Sequence, residues 1–111
     1  MKLSFSSKKL EKELTNEAAM KRAYGNRASR LKMRLDLLRA APTLADVPIE
    51  PPPRRHQLGA EWAGHYAVDI TGKNWRLIFK PDHDPVPTLA SGGVDLKAIT
   101  AVEIVLVKDY H

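Results

Sequence analysis

The chain has no cysteine, which excludes a disulfide framework and a thiol nucleophile. It also has no run approaching the roughly 20 apolar residues of a membrane-spanning helix. The opening Met1-Lys2-Leu3-Ser4-Phe5-Ser6-Ser7-Lys8-Lys9 lacks the apolar stretch of a secretion signal. Phosphate-binding P-loop, dinucleotide fingerprint, nucleophile elbow and paired-cysteine zinc pattern are all missing. So are internal repeats and low-complexity tracts. These absences leave a soluble, cytoplasmic protein as the expectation, and 111 residues give room for a single domain with one core, spanning 1–111.

Acidic residues are scarce only in the first half. Residues 1–55 hold 13 Lys/Arg against 6 Asp/Glu, whereas residues 56–111 hold 5 against 7. A basic half suits an anionic polymer or an acidic protein partner, although a solvated helix face gives the same count. Charge nominates nucleic acid without establishing it.

The hydrophobic pattern changes period along the chain. Leu3 and Phe5 alternate with Ser4 and Ser6, as in a short strand with one buried face. Ser7 then caps a predicted helix whose stripe is Leu10, Leu14 and Ala18, ending at Tyr24-Gly25-Asn26. A second helix over 27–40 carries Ala28, Leu31, Leu35 and Leu38 on one face and the row Arg27, Arg30, Arg34 on another. The prolines 42, 48, 51, 52 and 53 make residues 43–53 an extended connection. Arg54–Leu58 is a weak strand, while Gly64–Ile70 and Asn74–Lys80 form a hairpin around Thr71-Gly72-Lys73. Within it, Trp75, Leu77 and Phe79 face one side, and Asn74, Arg76 and Ile78 the other. Residues 81–100 are a long polar connection, and the apolar strand Ala101–Val107 is central. The fold class is α+β, in the order β-α-α-β-β-β, with a helical hairpin on one face of a small, mostly antiparallel sheet.

Candidate chemistry follows from placement. Asp109-Tyr110-His111 emerges from the buried last strand, so its polar groups leave the sheet at a defined place. Histidine moves protons near neutral pH, tyrosine stacks on a base, and aspartate orients an imidazole. Arg76, at mid-strand, has the fork geometry for a phosphate; its plain alternative is an ion pair with a nearby carboxylate. His56, after Arg54-Arg55, is a second proton-transfer candidate, whereas His65 reads as a surface or packing residue. Asp82-His83-Asp84 has metal-ligand residue types, but adjacent residues rarely share one ion and no ligand spacing recurs, so neither metal nor cofactor is expected.

The run Gly64-His65-Tyr66-Ala67-Val68-Asp69-Ile70 through Asn74-Trp75-Arg76-Leu77-Ile78-Phe79, with the terminal Asp109-Tyr110-His111, resembles the HigB ("killer protein") branch of the RelE toxin superfamily. The resemblance covers essentially the whole chain. It implies a type II toxin–antitoxin system whose toxin cleaves mRNA at the ribosome, is neutralised by an antitoxin that usually carries a helix-turn-helix domain, and meets operator DNA only through that complex. Carried over by position, the catalytic group is His56, Arg76, Asp109, Tyr110 and His111. Arg27, Arg30, Arg34, Arg54, Arg55 and Lys73 are expected to bind RNA. Family members commonly read His-Pro-Leu-Lys-Gly where this chain reads His56-Gln57-Leu58-Gly59-Ala60, so the lysine position is Gly59. The alternatives are a non-catalytic ribosome- or RNA-binding regulator, or a component whose basic helices serve chiefly to dock an antitoxin. Direct DNA binding is weaker, because the helical hairpin lacks helix-turn-helix spacing.

Overall fold

The computed structural model describes residues 1–72 and 74–109. Strand β1 is Lys2–Phe5, followed by helices α1 (Lys8–Thr15), α2 (Glu17–Tyr24) and α3 (Ala28–Ala40). Strands β2 (His56–Gln57), β3 (Tyr66–Thr71), β4 (Trp75–Pro81) and β5 (Ala101–Asp109) complete a five-stranded sheet in the order β1-β5-β4-β3-β2. Only the β1–β5 pair is parallel; the others run antiparallel. The expected α+β class and the β3–β4 hairpin are present; β5 lies inside the sheet between β1 and β4, but the middle strand is β4.

Strand register explains why the helices cover one face. Val68, Leu77 and Val107 lie opposite one another across β3, β4 and β5. Phe79, Ile104 and Phe5 form a second such row across β4, β5 and β1. Side chains alternate at period two, and the register shift between Ile78 and Phe79 brings Ile104 into step with Val107, so these rows share a face. There they pack against Leu10, Leu14, Met20, Leu31, Leu35 and Leu38 of the helices in one apolar cluster. No helix among the described residues is long and apolar enough to cross a membrane.

Two expectations need correcting. The first predicted helix is two, broken at Asn16, whose backbone is extended and whose Oδ1 accepts from the Ala19 amide at 2.9 Å. An asparagine capping a helix start competes with continuing the helix. The break resets the rotational phase, so Ala18 is exposed while Ala19 and Met20 are buried. The second correction concerns the two long connections. Residues 43–53 contain a 3-10 turn at Leu44–Asp46, closed by the Thr43 hydroxyl donating to the Asp46 carboxylate at 2.8 Å. Residues 82–100 contain a Thr88–Val94 bridge and a 3-10 turn at Leu96–Ala98. Leu44 and Ile99, fully buried, are joined by an amide-to-carbonyl bond of 3.0 Å. Each connection thus anchors on an apolar residue, and their pairing closes one end of the core.

Candidate functional site

The sheet face turned away from the helices has a different composition. His56 pairs with Ala67, Ala67 with Ile78, and Ile78 with Leu106, which makes one row. The next row is Asp69, Arg76 and Lys108. Two of the sequence candidates, His56 and Arg76, therefore lie on one face in neighbouring rows, although 20 positions separate them in the chain. This outer face carries an imidazole, a carboxylate, a guanidinium and an ammonium group.

Asp69 is 5% exposed, and a carboxylate so enclosed requires partners. Arg54 supplies a two-pronged one, with Nε at 2.6 Å from Oδ2 and Nη2 at 3.0 Å from Oδ1. That pairing holds the Arg54 guanidinium above its usual range. Arg76 Nε lies 3.7 Å from Asp69 Oδ1, close enough for an ion pair and too long for a hydrogen bond. Arg54 adopts φ 47°, a left-handed backbone uncommon outside glycine. Its backbone carbonyl lies 2.7 Å from His56 Nδ1. A carbonyl only accepts, so in the neutral ring Nδ1 carries the hydrogen and Nε2 carries the lone pair. Nε2 is enclosed and has no hydrogen-bond partner among the described residues.

The predicted arginine row does not survive folding intact. Arg34 is 7% exposed, and its Nε donates to the Asp69 backbone carbonyl at 2.6 Å. Burial, with Arg30 nearby, lowers its proton affinity. Arg34 is thus a core residue that ties α3 to β3, and the expectation that places it on a surface row with Arg27 and Arg30 is corrected. Arg30 is exposed. Arg27 stands 4.4 Å over the Trp75 ring, a cation–π contact. Arg55 donates from Nε to the Val47 carbonyl at 2.9 Å, which fastens the proline-rich connection. Asp109 closes β5 opposite Trp75, one position beyond the Arg76–Lys108 pair. Lys73, Tyr110 and His111 lie outside the described residues.

The other described histidines serve elsewhere. His65 meets the Trp62 ring edge-on at 5.2 Å. His83 Nε2 accepts from the amides of Thr100 and Ala101 at 3.1 and 3.3 Å, holding the start of β5. No group of three metal-ligating side chains occurs among the described residues. Sequence reasoning missed Asp69 and Lys108. The signal for Asp69 was present, since an aspartate between Val68 and Ile70 in a strand-forming run must find a partner. Lys108 was hidden by its neighbour Asp109 and becomes visible only through the register with Arg76.

No family model matches the chain, and no curated protein matches it in sequence. Solved structures do. A YoeB/ParE toxin from Agrobacterium tumefaciens aligns over 100% of both chains with a TM-score of 0.54 and 15% identity. A mutant of YafQ from E. coli aligns over 96% of this chain and 90% of its own, with a TM-score of 0.57 and 14% identity. The YoeB–YefM complex from Staphylococcus aureus contains a chain that aligns over 100% of this one and 98% of itself, at 0.56 and 12%. The fold is shared from end to end. At these identities the likeness is one of architecture, a RelE/YoeB-like sheet with helices on one face.

Proposed function

We propose that this chain is the toxin of a type II toxin–antitoxin system, a HigB-like endoribonuclease that cuts mRNA on the ribosome in the cytoplasm. The observation that carries the reading is the outer face. It carries an imidazole whose Nδ1 meets a backbone carbonyl and whose enclosed Nε2 has no hydrogen-bond partner among the described residues, on the same face as an arginine two strands away and a lysine three strands away. Transesterification of RNA needs a base for the 2′-hydroxyl and positive charge on the phosphorane, and it needs no metal. His56 Nε2 takes the proton of the 2′-hydroxyl as that oxygen bonds to the adjacent phosphorus. Arg76 and Lys108 stabilise the added negative charge, and the bond from phosphorus to the 5′-oxygen breaks. By the sequence resemblance, His111 returns a proton to that oxygen, Tyr110 stacks on a base, and Asp109 orients His111. Exposed Arg30, with Arg27 beside it, contacts ribosomal RNA, an affinity that falls with salt.

The partner in this reading is an antitoxin with a helix-turn-helix domain, which also carries the pair to operator DNA. The solved neighbours include toxin–antitoxin complexes, YoeB with YefM, and the basic first half of the chain suits an acidic antitoxin segment.

One observation favours a second reading, a ribosome-binding regulator that keeps the fold and lacks the cleavage. Position 59, a lysine in the resembling family, is glycine here, which removes one cationic phosphate contact. The deciding experiment is induced expression of the intact chain and of an Arg76→Ala variant lacking His111, with 5′-end mapping of cellular mRNA. Cuts within translated codons, present for the intact chain and absent for the variant, are the expected result. Growth arrest without cuts selects the regulator instead.

A further inference from the structure

All four polar atoms of Asp69 are engaged. Its amide donates to the Pro53 carbonyl at 2.7 Å, and its carbonyl accepts from Arg34 on α3 at 2.6 Å. Its carboxylate accepts both prongs of Arg54 and faces Arg76 at 3.7 Å. Pro53 and Arg54 are the last residues before the segment that carries His56, and the Arg54 carbonyl is the acceptor that sets the His56 tautomer. A continuous path of short contacts therefore runs from the Asp69 carboxylate through the Arg54 side chain and backbone to His56 Nδ1. A direct contact runs from the same carboxylate to Arg76.

From this geometry we infer that Asp69 is a positioning residue: through Arg54 it fixes the His56 imidazole with Nε2 as the basic nitrogen, and by direct charge it orients Arg76 on the same face. The inference rests on the ribonuclease reading for its kinetic consequence, whereas its structural content, the tautomer of His56, is independent of any activity. The left-handed φ of Arg54 is a backbone state that the carboxylate's grip on its side chain helps to hold. A non-glycine residue leaves that region unless its surroundings hold it there, and a two-pronged bond to a buried carboxylate is a strong geometric restraint. Without it, the 53–55 backbone relaxes, the carbonyl turns from Nδ1, and the ring is free to exchange tautomers. Arg54, expected from sequence to bind RNA, is on this account committed to Asp69, which leaves Arg76 and Lys108 as the cations of the outer face.

The test is Asp69→Asn in the full chain, with cleavage of ribosome-bound mRNA and the ¹⁵N spectrum of the histidine rings measured together. The asparagine keeps one acceptor and the shape of the side chain, and it loses the charge and the second prong. The expected result is a kcat lowered about 10- to 100-fold with KM nearly unchanged, and a His56 spectrum that moves from a single Nδ1–H tautomer to a mixture. A folded Asp69→Asn protein with wild-type kcat and an unchanged His56 spectrum overturns the inference. Should Asp69→Asn fail to fold, Arg54→Lys breaks the same link from the half-exposed side; an unaltered His56 spectrum there overturns it equally, and tautomer exchange supports it. A wild-type chain that cuts nothing defeats the ribonuclease reading and leaves the spectroscopic comparison standing.

Discussion

The two faces of one sheet obey different rules. Toward the helices, Val68, Leu77, Phe79 and Ile104 meet the leucines of α1 and α3, and every one of the four is fully buried. There the interactions are non-directional, and area removed from water is the quantity that matters. Away from the helices, His56, Asp69, Arg76 and Lys108 occupy adjoining rows, and angles and partners decide everything. A strand alternates between the faces residue by residue, so Asp69 stands between Val68 and Ile70 without disturbing either. The lesson is that the apolar face positions the polar one: packing of alternate residues sets the register that aligns Asp69, Arg76 and Lys108.

Substitutions can separate the two regimes. The largest effect on stability is expected from Phe79→Ala, which opens a cavity under a fully buried ring stacked 6.3 Å from Tyr66. A loss of about 3–5 kcal/mol, read by urea unfolding, is the expected outcome, and a loss below 1 kcal/mol breaks the claim that this face carries the fold. Next comes Arg34→Met, which keeps the length of a core side chain and removes the donor to the Asp69 carbonyl. An enclosed carbonyl left unmatched costs about 1–3 kcal/mol, so the same measurement distinguishes a core arginine from a surface one, where about 0.5 kcal/mol or less is the rule. The smallest effect belongs to Gly59→Lys. Gly59 has an ordinary extended backbone, with φ −118°, and a Cβ there meets nothing within 4 Å. Stability should therefore shift by no more than about 0.5 kcal/mol. If the outer face cleaves RNA, the added cation raises the cleavage rate in the mRNA assay; an unchanged rate shows that position 59 contributes no phosphate contact in this chain.

Much of this was legible in the residues themselves. The alternation of Leu3 and Phe5, the Ala28-Leu31-Leu35-Leu38 stripe and the apolar run from Ala101 place the main elements because local periodicity and burial coincide there. The break at Asn16 was legible in principle and overlooked, since Leu10, Leu14 and Ala18 continue a helical spacing across it while the capping side chain interrupts the backbone. Arg34 shows the opposite limit. Its spacing from Arg27 and Arg30 suggests one basic row, yet Arg27 belongs to the 3-10 turn before α3 and Arg34 lies two turns further along. The Asp69 carbonyl lies where only the last of them can reach it, so a long side chain with an apolar stem goes inward. His56 and Arg76 were nominated from sequence, but their neighbourhood on one face required the β2–β3–β4 register.

By itself, then, the sequence determined the class of fold, the apolar stripes that build its core and the residue types available for chemistry, because these depend on local period and on the cost of exposing apolar surface. Only the tertiary structure decided which charges are spent inside the fold. That choice depends on distances of a few ångströms between residues far apart in the chain. It turned Arg34 and Arg54 into supports for Asp69, and it set His56 on the same sheet face as Arg76.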